Sequence, residues 1–418
     1  MLSLSYYTGI RSYRLGVSIA SLFGNQKAKQ WINGRKNWQQ HLSDFRNKNK
    51  DQPLIWFHAS SLGEFEQVKP LIEKIKNDNE YKDHLLFVSF FSPSGYEYSL
   101  DYKVADKLFY LPLDTDSNAI SFIEILQPEI AIFVKYDFWF NYLNILQENL
   151  IPIVYFSCNF RENQIYFKSY ARWQRSILED IDRIYTLNKK SENVLLKHGF
   201  KNAAVCGDTR YDKVIQNAEQ SIPIPIIEQF KKEKPLLILG SSWQPEEKII
   251  AQYLEKNKGE IKVIIAPHDI SEKHLLEIEG IVKVPMLRYA NLTEENINKI
   301  DVILIDNIGL LSNTYQYADF AFIGGGFTND LHNILEAAAF SNVVFYGNKF
   351  SKFPEAQELI DFGGGISVSN YSDFETIINN VLKNTSKQRT MKQKSKDFVY
   401  QHKGATDIVF RAVKELLG

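Results

Sequence analysis

The chain has 418 residues, 44% of them hydrophobic and 24% charged, with a formal net charge of -1. This length exceeds one ordinary core and predicts two or three domains, and the composition excludes a disordered chain. The two cysteines, Cys158 and Cys206, build neither a zinc spacing nor a disulfide framework, which fits cytoplasmic residence.

The near-neutral total hides an asymmetry at the N-terminus. Residues 1–50 carry nine Lys or Arg against one acid, Asp44. They also hold an aromatic and apolar stretch ending in Leu15-Gly-Val-Ser-Ile-Ala-Ser-Leu-Phe23, with Arg11 and Arg14 upstream. The run falls short of the roughly 20 apolar residues that span a bilayer, and it lacks a good signal-peptide cleavage site. It reads as a basic apolar arm lying at an anionic lipid surface; the alternative is a helix packed on the body of the protein. No nucleic-acid partner is expected.

Short apolar runs then alternate with helical patterns, which predicts α/β architecture with parallel sheets. The predicted strands are 54–59, 85–91, 107–113, 130–134, 151–156 and 183–187, then 236–240, 261–266, 302–305, 320–323, 343–346 and 365–368. Two doubly wound sheets therefore follow one another. The stretch between them holds Ser221-Ile-Pro-Ile-Pro225 and Lys231-Lys-Glu-Lys234 and reads as a hinge. The expected division is an arm (1–50), a first domain (51–215), a linker (216–234), a second domain (235–386) and a helical tail (387–418). The tail is expected to pack back on the first domain.

Open parallel sheets bind ligands beyond the carboxyl ends of their strands, so candidate residues are sought there. After the first strand comes His58-Ala-Ser-Ser-Leu-Gly-Glu64, where Ser60, Ser61 and Gly63 make a small-residue turn and Glu64 can act as a general base. The competing reading of Glu64 is an acid placed at a helix start by the dipole. After the fourth strand, Lys135 can pair with an anionic substrate and Asp137 can orient a hydroxyl; a surface ion pair is the alternative. Asn159 and Arg161 follow the fifth, and Arg suits bidentate carboxylate or phosphate recognition.

In the second half, Ser241 and Ser242 follow the first strand, as a helix cap or phosphate ligands. Pro267 and His268 follow the next. Asp114-Thr-Asp116 fits an ordinary turn, and no metal is assigned. The most distinctive segment runs from Ile323 through Gly324, Gly325 and Gly326 to a predicted helix carrying His332, Asn333 and Glu336 in its first turns. It predicts phosphate held by backbone N–H groups, with Glu336 accepting from ribose hydroxyls, and hence a nucleotide.

These segments resemble, in order and spacing, the family of transferases for 3-deoxy-D-manno-octulosonic acid (Kdo). The likeness rests on Lys27-Ala-Lys-x-Trp-x-x-Gly-Arg35, His58-Ala-Ser-Ser-Leu-Gly-Glu64, Ser92-Pro-Ser-Gly95, Pro112-Leu-Asp114, Trp139 with Asn141, Asn159 with Arg161 and Gly207-Asp-Thr-Arg-Tyr-Asp212. Gly240-Ser241, Gly324-Gly325, His332-Asn333, Glu336 and Phe353-x-Glu355 complete it.

The resemblance implies a GT-B fold, two Rossmann-like domains facing a central cleft, and no cofactor or metal. It also implies inverting transfer of Kdo from CMP-Kdo to a lipid A precursor, at the cytoplasmic face of the inner membrane, by a monotopic enzyme or one with a single N-terminal anchor. Glu64 matches the proposed general base of the family. Ser241, the glycine turn, His332, Asn333 and Glu336 match its CMP site.

Four positions depart from the family pattern: Lys135 stands for a Glu, His268 for an Arg, Leu310 for an acid in Asp306-Asn-Ile-Gly-Leu310, and Lys352 for an Asn. Lys135 is read as a holder of substrate carboxylate or phosphate. The rival readings are a GT-B enzyme or epimerase using a UDP-sugar, and an inactive nucleotide-binding scaffold of the same fold.

Overall fold

The computed structural model describes residues 2–135, 137–168 and 172–418. It divides into two compact units, one comprising residues 1–213 and 404–418 and the other residues 214–403.

The first unit is built on a parallel sheet of β1 (Leu54–Ala59), β2 (Leu85–Phe90), β3 (Lys107–Tyr110), β4 (Ile130–Val134), β5 (Ile153–Cys158), β6 (Arg183–Thr186) and β7 (Ala203–Val205), in the order β3-β2-β1-β4-β5-β6-β7. The strands β1, β2, β4 and β5 are buried along their whole length. Sheets covered on both faces need apolar side chains at successive positions, which is why these strands read as continuous apolar runs. Trp56, Phe87, Phe133 and Tyr155 pack on one face with Phe122 and Tyr142. Ile55, Phe57, Val88 and Ile132 pack on the other with Val68, Leu71 and Ile72.

The second unit repeats the plan with β8 (Leu236–Ser242), β9 (Lys262–Pro267), β10 (Met286–Arg288), β11 (Val302–Leu304), β12 (Phe320–Ile323), β13 (Val343–Gly347) and β14 (Gly365–Val368). Their order is β10-β11-β9-β8-β12-β13-β14, all parallel. The strand order reverses between β1 and β4 in the first sheet and between β8 and β12 in the second, where β11 also lies inside β10. Crossover helices leave opposite faces at such a point and open a crevice past the strand ends.

The structure adds elements to this outline and divides its tail. The β7 and β10 strands lie at sheet edges and are three residues each, too short to stand out as apolar runs. The stretch expected as a linker is not bare chain: it holds the end of the helix Thr209–Glu219 and the helix Pro225–Lys231. The tail splits. Its helix Thr385–Tyr400 stays with the second unit, where Ser395 Oγ–H donates to Gly364 O at 3.0 Å. The helix Ala405–Leu417 belongs to the first, where Val409 and Val413 enter the core and the Gly404 and Thr406 N–H groups donate to Asp212 at 2.6 and 2.7 Å.

Residues 1–50 form the helices Leu2–Leu22, Gln26–Asn33 and Trp38–Lys48. The last two belong to the body: Leu42 is fully buried and Trp31 nearly so. Arg46 donates to the carbonyls of Asn49 and Gln52. Only the first helix keeps a free apolar flank, with Leu15, Leu22 and Phe23 exposed. Its start is tied down by Tyr6 O–H to the Asp114 carboxylate and Tyr7 O–H to Asn141 Oδ1 at 2.9 Å. Among the described residues no helix is long and apolar enough to cross a membrane.

Candidate functional site

In the first unit the reversal point brings Ser60, Glu64, Lys135 and Asp137 together. Glu64 lies in the first turn of the helix Leu62–Lys76, behind Ser61 in extended backbone. Its Oε2 accepts the Ser60 N–H at 2.6 Å and its carboxylate also meets the N–H of the N-cap residue Ser61, a donor the helix start leaves open. It therefore does fill the structural role expected of an acid at this position. Its other oxygen, Oε1, lies 4.0 Å from Lys135 Nζ, and the side chain is only 12% exposed. Burial and the nearby Asp137 push its carboxyl up to about 7, against the pull of Lys135 and the backbone N–H groups. A carboxyl titrating there is matched to accept a proton at neutral pH.

Lys135 closes β4 in a left-handed conformation, φ 63°, uncommon for a residue with a side chain. Its N–H donates to Phe156 O at 2.9 Å and its carbonyl accepts Cys158 S–H at 2.7 Å. The Asp137 carbonyl accepts Tyr155 O–H at 3.0 Å, and burial pushes its carboxyl up while Ser60 O–H and Lys135 pull it down.

Beneath these lies a buried chain of hydrogen bonds that holds the turn. Trp139 Nε1–H donates to His58 Nε2 at 2.9 Å, which leaves the proton on Nδ1, 2.8 Å from Ser89 Oγ. Ser89 Oγ also accepts Trp56 Nε1–H at 2.8 Å. Burial and Arg35 hold His58 down at about 3, so the ring is neutral at any working pH. Ser60 Oγ lies 3.1 Å from His58 Nε2, at the end of this chain of contacts.

Gly63 is exposed, and a Cβ there would meet no atom within 4 Å. Packing does not demand glycine, and the space beside it is open. Asn159 and Arg161 follow β5, one strand beyond Lys135; Arg161 is exposed, with its N–H on Gln164 Oε1 at 2.9 Å. Asp114 is fully buried and accepts the N–H groups of Asn141 and Tyr142 at the start of the helix Phe140–Glu148. It caps that helix across the fold, and burial pushes its carboxyl up to about 6. Among the described residues no three His, Cys, Asp or Glu side chains gather as a metal site.

In the second unit the candidates surround the β8–β12 reversal, but three expectations change. The helix after the glycine turn is short and begins only at Leu335 (Leu335–Ala339), so His332 and Asn333 precede it. Asn333 Oδ1 accepts the Leu335 N–H, and its Nδ2 donates to Glu336 Oε1 at 3.1 Å. The glycine N–H groups are not an open cradle either. Gly325 N–H is taken by Glu246 Oε1 at 3.0 Å and Gly324 N–H by Gly240 O at 2.9 Å. The glycines serve backbone-against-backbone packing: a Cβ at Gly324 would sit 2.1 Å from Ser241 O, and one at Gly326 2.3 Å from Gly347 N. Third, neither serine caps the following helix (Gln244–Lys256). Trp243 precedes it, with its N–H on Glu246 Oε2 at 3.3 Å, while the buried Ser242 hydroxyl donates to Glu247 at 2.9 Å.

What stands open there is a stack of three rings. The His268 ring packs against both Trp243 and His332, with centroids 4.7 and 4.5 Å away; those two rings lie 6.5 Å apart, and Trp243 Nε1–H donates to His332 Nε2 at 3.1 Å. Burial and His268 push His332 down. Pro267 ends β9, His268 is exposed, and its N–H donates to Ser242 O at 3.0 Å. Ser241 is left-handed, φ 50°, at the end of β8. Trp243 is not among the sequence candidates, and a tryptophan directly after a strand-end Ser-Ser is the signal for it.

Residues 36–213 match the family model described as 3-deoxy-D-manno-octulosonic-acid transferase (kdotransferase). The 3-deoxy-D-manno-octulosonic acid transferase of Aquifex aeolicus is 24% identical over 82% of this chain and 90% of its own length. The corresponding enzyme of Haemophilus influenzae is 25% identical over 87% of each. The family-model match is confined to residues 36–213, while the similarity to these Kdo-acting glycosyltransferases extends over most of the chain. A bifunctional glycosyltransferase/methyltransferase of Fusobacterium nucleatum is 24% identical over 88% of this chain, which spans 58% of that longer protein.

Among solved structures, the UDP-GlcNAc 2-epimerase of Neisseria meningitidis aligns with a TM-score of 0.61 at 14% identity, over 87% of this chain and all of that chain. MurG of Acinetobacter baumannii aligns at 0.52 and 13%, over 87% and 99%. At such identities the likeness shows the fold, that of the GT-B enzymes.

Proposed function

We propose that this chain is a glycosyltransferase that moves Kdo from CMP-Kdo to a lipid A precursor in lipopolysaccharide core biosynthesis, with inversion and with Glu64 as general base. The observation that carries the reading is the Glu64 carboxyl, raised to about 7 beside Lys135 and Asp137 at the reversal point of the first sheet. In the proposed step Glu64 takes the proton of an acceptor hydroxyl as that oxygen bonds to the anomeric carbon of Kdo. The bond from that carbon to the phosphate oxygen breaks, and CMP leaves with the electron pair. Lys135 holds the acidic group of the incoming sugar or lipid, and Asn159 and Arg161 follow the carboxyl end of the neighbouring strand.

For the donor we assign the Trp243, His268 and His332 stack, with Ser241, Pro267, Asn333 and Glu336, as the surface that meets the nucleotide. Aromatic faces suit a base, and the imidazoles can donate to phosphate when protonated. The glycine turn supports this surface by close packing. Because no described helix spans a bilayer, the reading of the first helix is that it lies on the anionic cytoplasmic face of the inner membrane through Leu15, Leu22, Phe23 and the nearby arginines.

The test is transfer by the purified chain from CMP-Kdo to a lipid A precursor, with Glu64→Gln alongside and the anomeric configuration of the product read by NMR. Transfer by the wild type and its loss by at least about a hundredfold in the variant are expected. No transfer, or turnover of a UDP-sugar instead, sinks the donor assignment. An undiminished variant removes the base, and a retained configuration removes inversion.

A further inference from the structure

The segment from Lys27 to Arg35, prominent in the sequence, takes no part in the chemistry above. It forms one wall of a cavity of about 610 Å³ in the first unit, bounded by the helices Leu2–Leu22 and Gln26–Asn33 and by the turn 112–118. The cavity walls carry four cationic side chains, Arg11, Arg14, Arg35 and Lys36, and no acidic one. Asp116, between two lining residues, is not part of the wall.

Two of the lining groups are incompletely served by the protein. The Arg35 guanidinium donates only to carbonyls, those of Leu111, Trp31 and Phe91 at 2.8, 3.0 and 2.8 Å, and lies over the Trp31 ring at 4.0 Å. Its charge has no carboxylate partner among the described residues, and burial pulls its pKa down to about 9. A buried cation without a counter-ion is costly. Three bonds leave two of its five donor hydrogens unused. Beside it, the indole N–H of Trp31, a residue 6% exposed, has no hydrogen-bond partner. An unmet buried donor costs free energy that an acceptor-only ligand would recover.

The rest of the wall narrows the ligand. Ser18, Thr115, Ser117 and Asn118 add hydroxyl and amide groups, Ile32 and Leu113 are apolar, and the helix carrying Arg11 and Arg14 also bears the exposed Leu15 and Leu22. From this we infer that the cavity binds a phosphate monoester carried by the lipid acceptor, its oxygens taking the unused Trp31 and Arg35 donors and the Arg11, Arg14 and Lys36 charges, with the apolar part of the lipid along the first helix. This inference rests on the reading of the chain as a transferase to a lipid acceptor and adds how that acceptor is recognised.

The experiment measures binding with no donor present, so that it stands apart from the transfer assay. The full chain is titrated with an acylated glucosamine disaccharide bearing phosphate monoesters, in neutral detergent, and with the same lipid after phosphatase treatment. Phosphatidylglycerol vesicles are added as competitor. Arg35 is left intact because three carbonyls depend on it; the variants are Arg11→Ala with Arg14→Ala, both exposed, and Trp31→Phe, which keeps the ring and removes the N–H.

The phosphorylated lipid should bind about tenfold or more tightly than its dephosphorylated form. That preference should fall to near parity in the double variant and drop severalfold in Trp31→Phe. Equal binding of the two lipids, an unchanged preference in both variants, or full displacement by phosphatidylglycerol would each overturn the inference. Absence of Kdo transfer by the wild type would remove the donor reading and leave this measurement standing. Absence of the phosphate preference in the wild type would remove the cavity's role and leave transfer standing.

Discussion

The buried carboxylate of Glu246 accepts the backbone N–H of Gly325 at 3.0 Å. The same side chain accepts the Trp243 N–H at 3.3 Å, so one acid joins the glycine turn to the residue that carries the ring stack. Burial raises its carboxyl while these N–H groups lower it. Glu246→Ala should leave two buried donors unmet and destabilise the second unit by about 2–4 kcal/mol, read by urea denaturation. Glu246→Gln keeps an acceptor oxygen and should lose less than half as much; equal losses would mean that volume rather than hydrogen bonding matters there.

Transfer should depend on pH through Glu64. Its carboxyl is raised to about 7, so the base form is gained as pH rises, and the rate should climb to a plateau above that pH. Lys135 lowers this value and Asp137 raises it, so Lys135→Ala should move the rising limb to higher pH and Asp137→Asn to lower pH. The linkage to stability has the opposite sense. A carboxyl raised on folding favours the native state fully below its unfolded pKa and loses that contribution as pH rises through about 7. Thermal melts should therefore show Glu64→Gln level with wild type near pH 4 and more stable near pH 8. A rate flat between pH 5 and 9 would exclude Glu64 as the titrating base.

Two glycines should behave in opposite ways. Gly326→Ala drives a Cβ to within 2.3 Å of the Gly347 backbone and should cost several kcal/mol or prevent folding. Gly63→Ala meets open space in a helix start and should hold or raise stability by ~0.5 kcal/mol, while lowering transfer if the acceptor approaches there. Unfolding midpoints and acceptor KM, measured together, separate the two effects.

The donor assignment turns on Trp243. Trp243→Ala should weaken CMP binding, measured by calorimetry, by about tenfold, because it removes a ring face and releases His332. Acceptor binding should not change. Undiminished CMP affinity would place the nucleotide elsewhere.

Much of the fold could be read along the chain for one physical reason. Strands covered on both faces need apolar residues without a break, so β1, β2, β4 and β5, like β8, β9 and β12, stand out between polar turns. Residues just past those runs, Glu64, Lys135, Asp137, Ser241 and His268, were candidates because ligands meet parallel sheets there. The edge strands β7 and β10 had no such signal, since three residues set no pattern.

The sequence by itself determined two parallel sheets, the turn carrying Glu64 and the run of glycines after β12, because apolar continuity and the lack of a Cβ are local properties. Tertiary structure decided what those groups do. Gly325 meets Glu246 across 79 positions, and Asp114 caps a helix that begins 26 residues later. Arg35 turns inward to carbonyls as far away as Leu111, leaving its charge unpaired beside Trp31. Hydrogen-bond partners and burial are set by which segments the folded sheets bring side by side, and no local pattern encodes that.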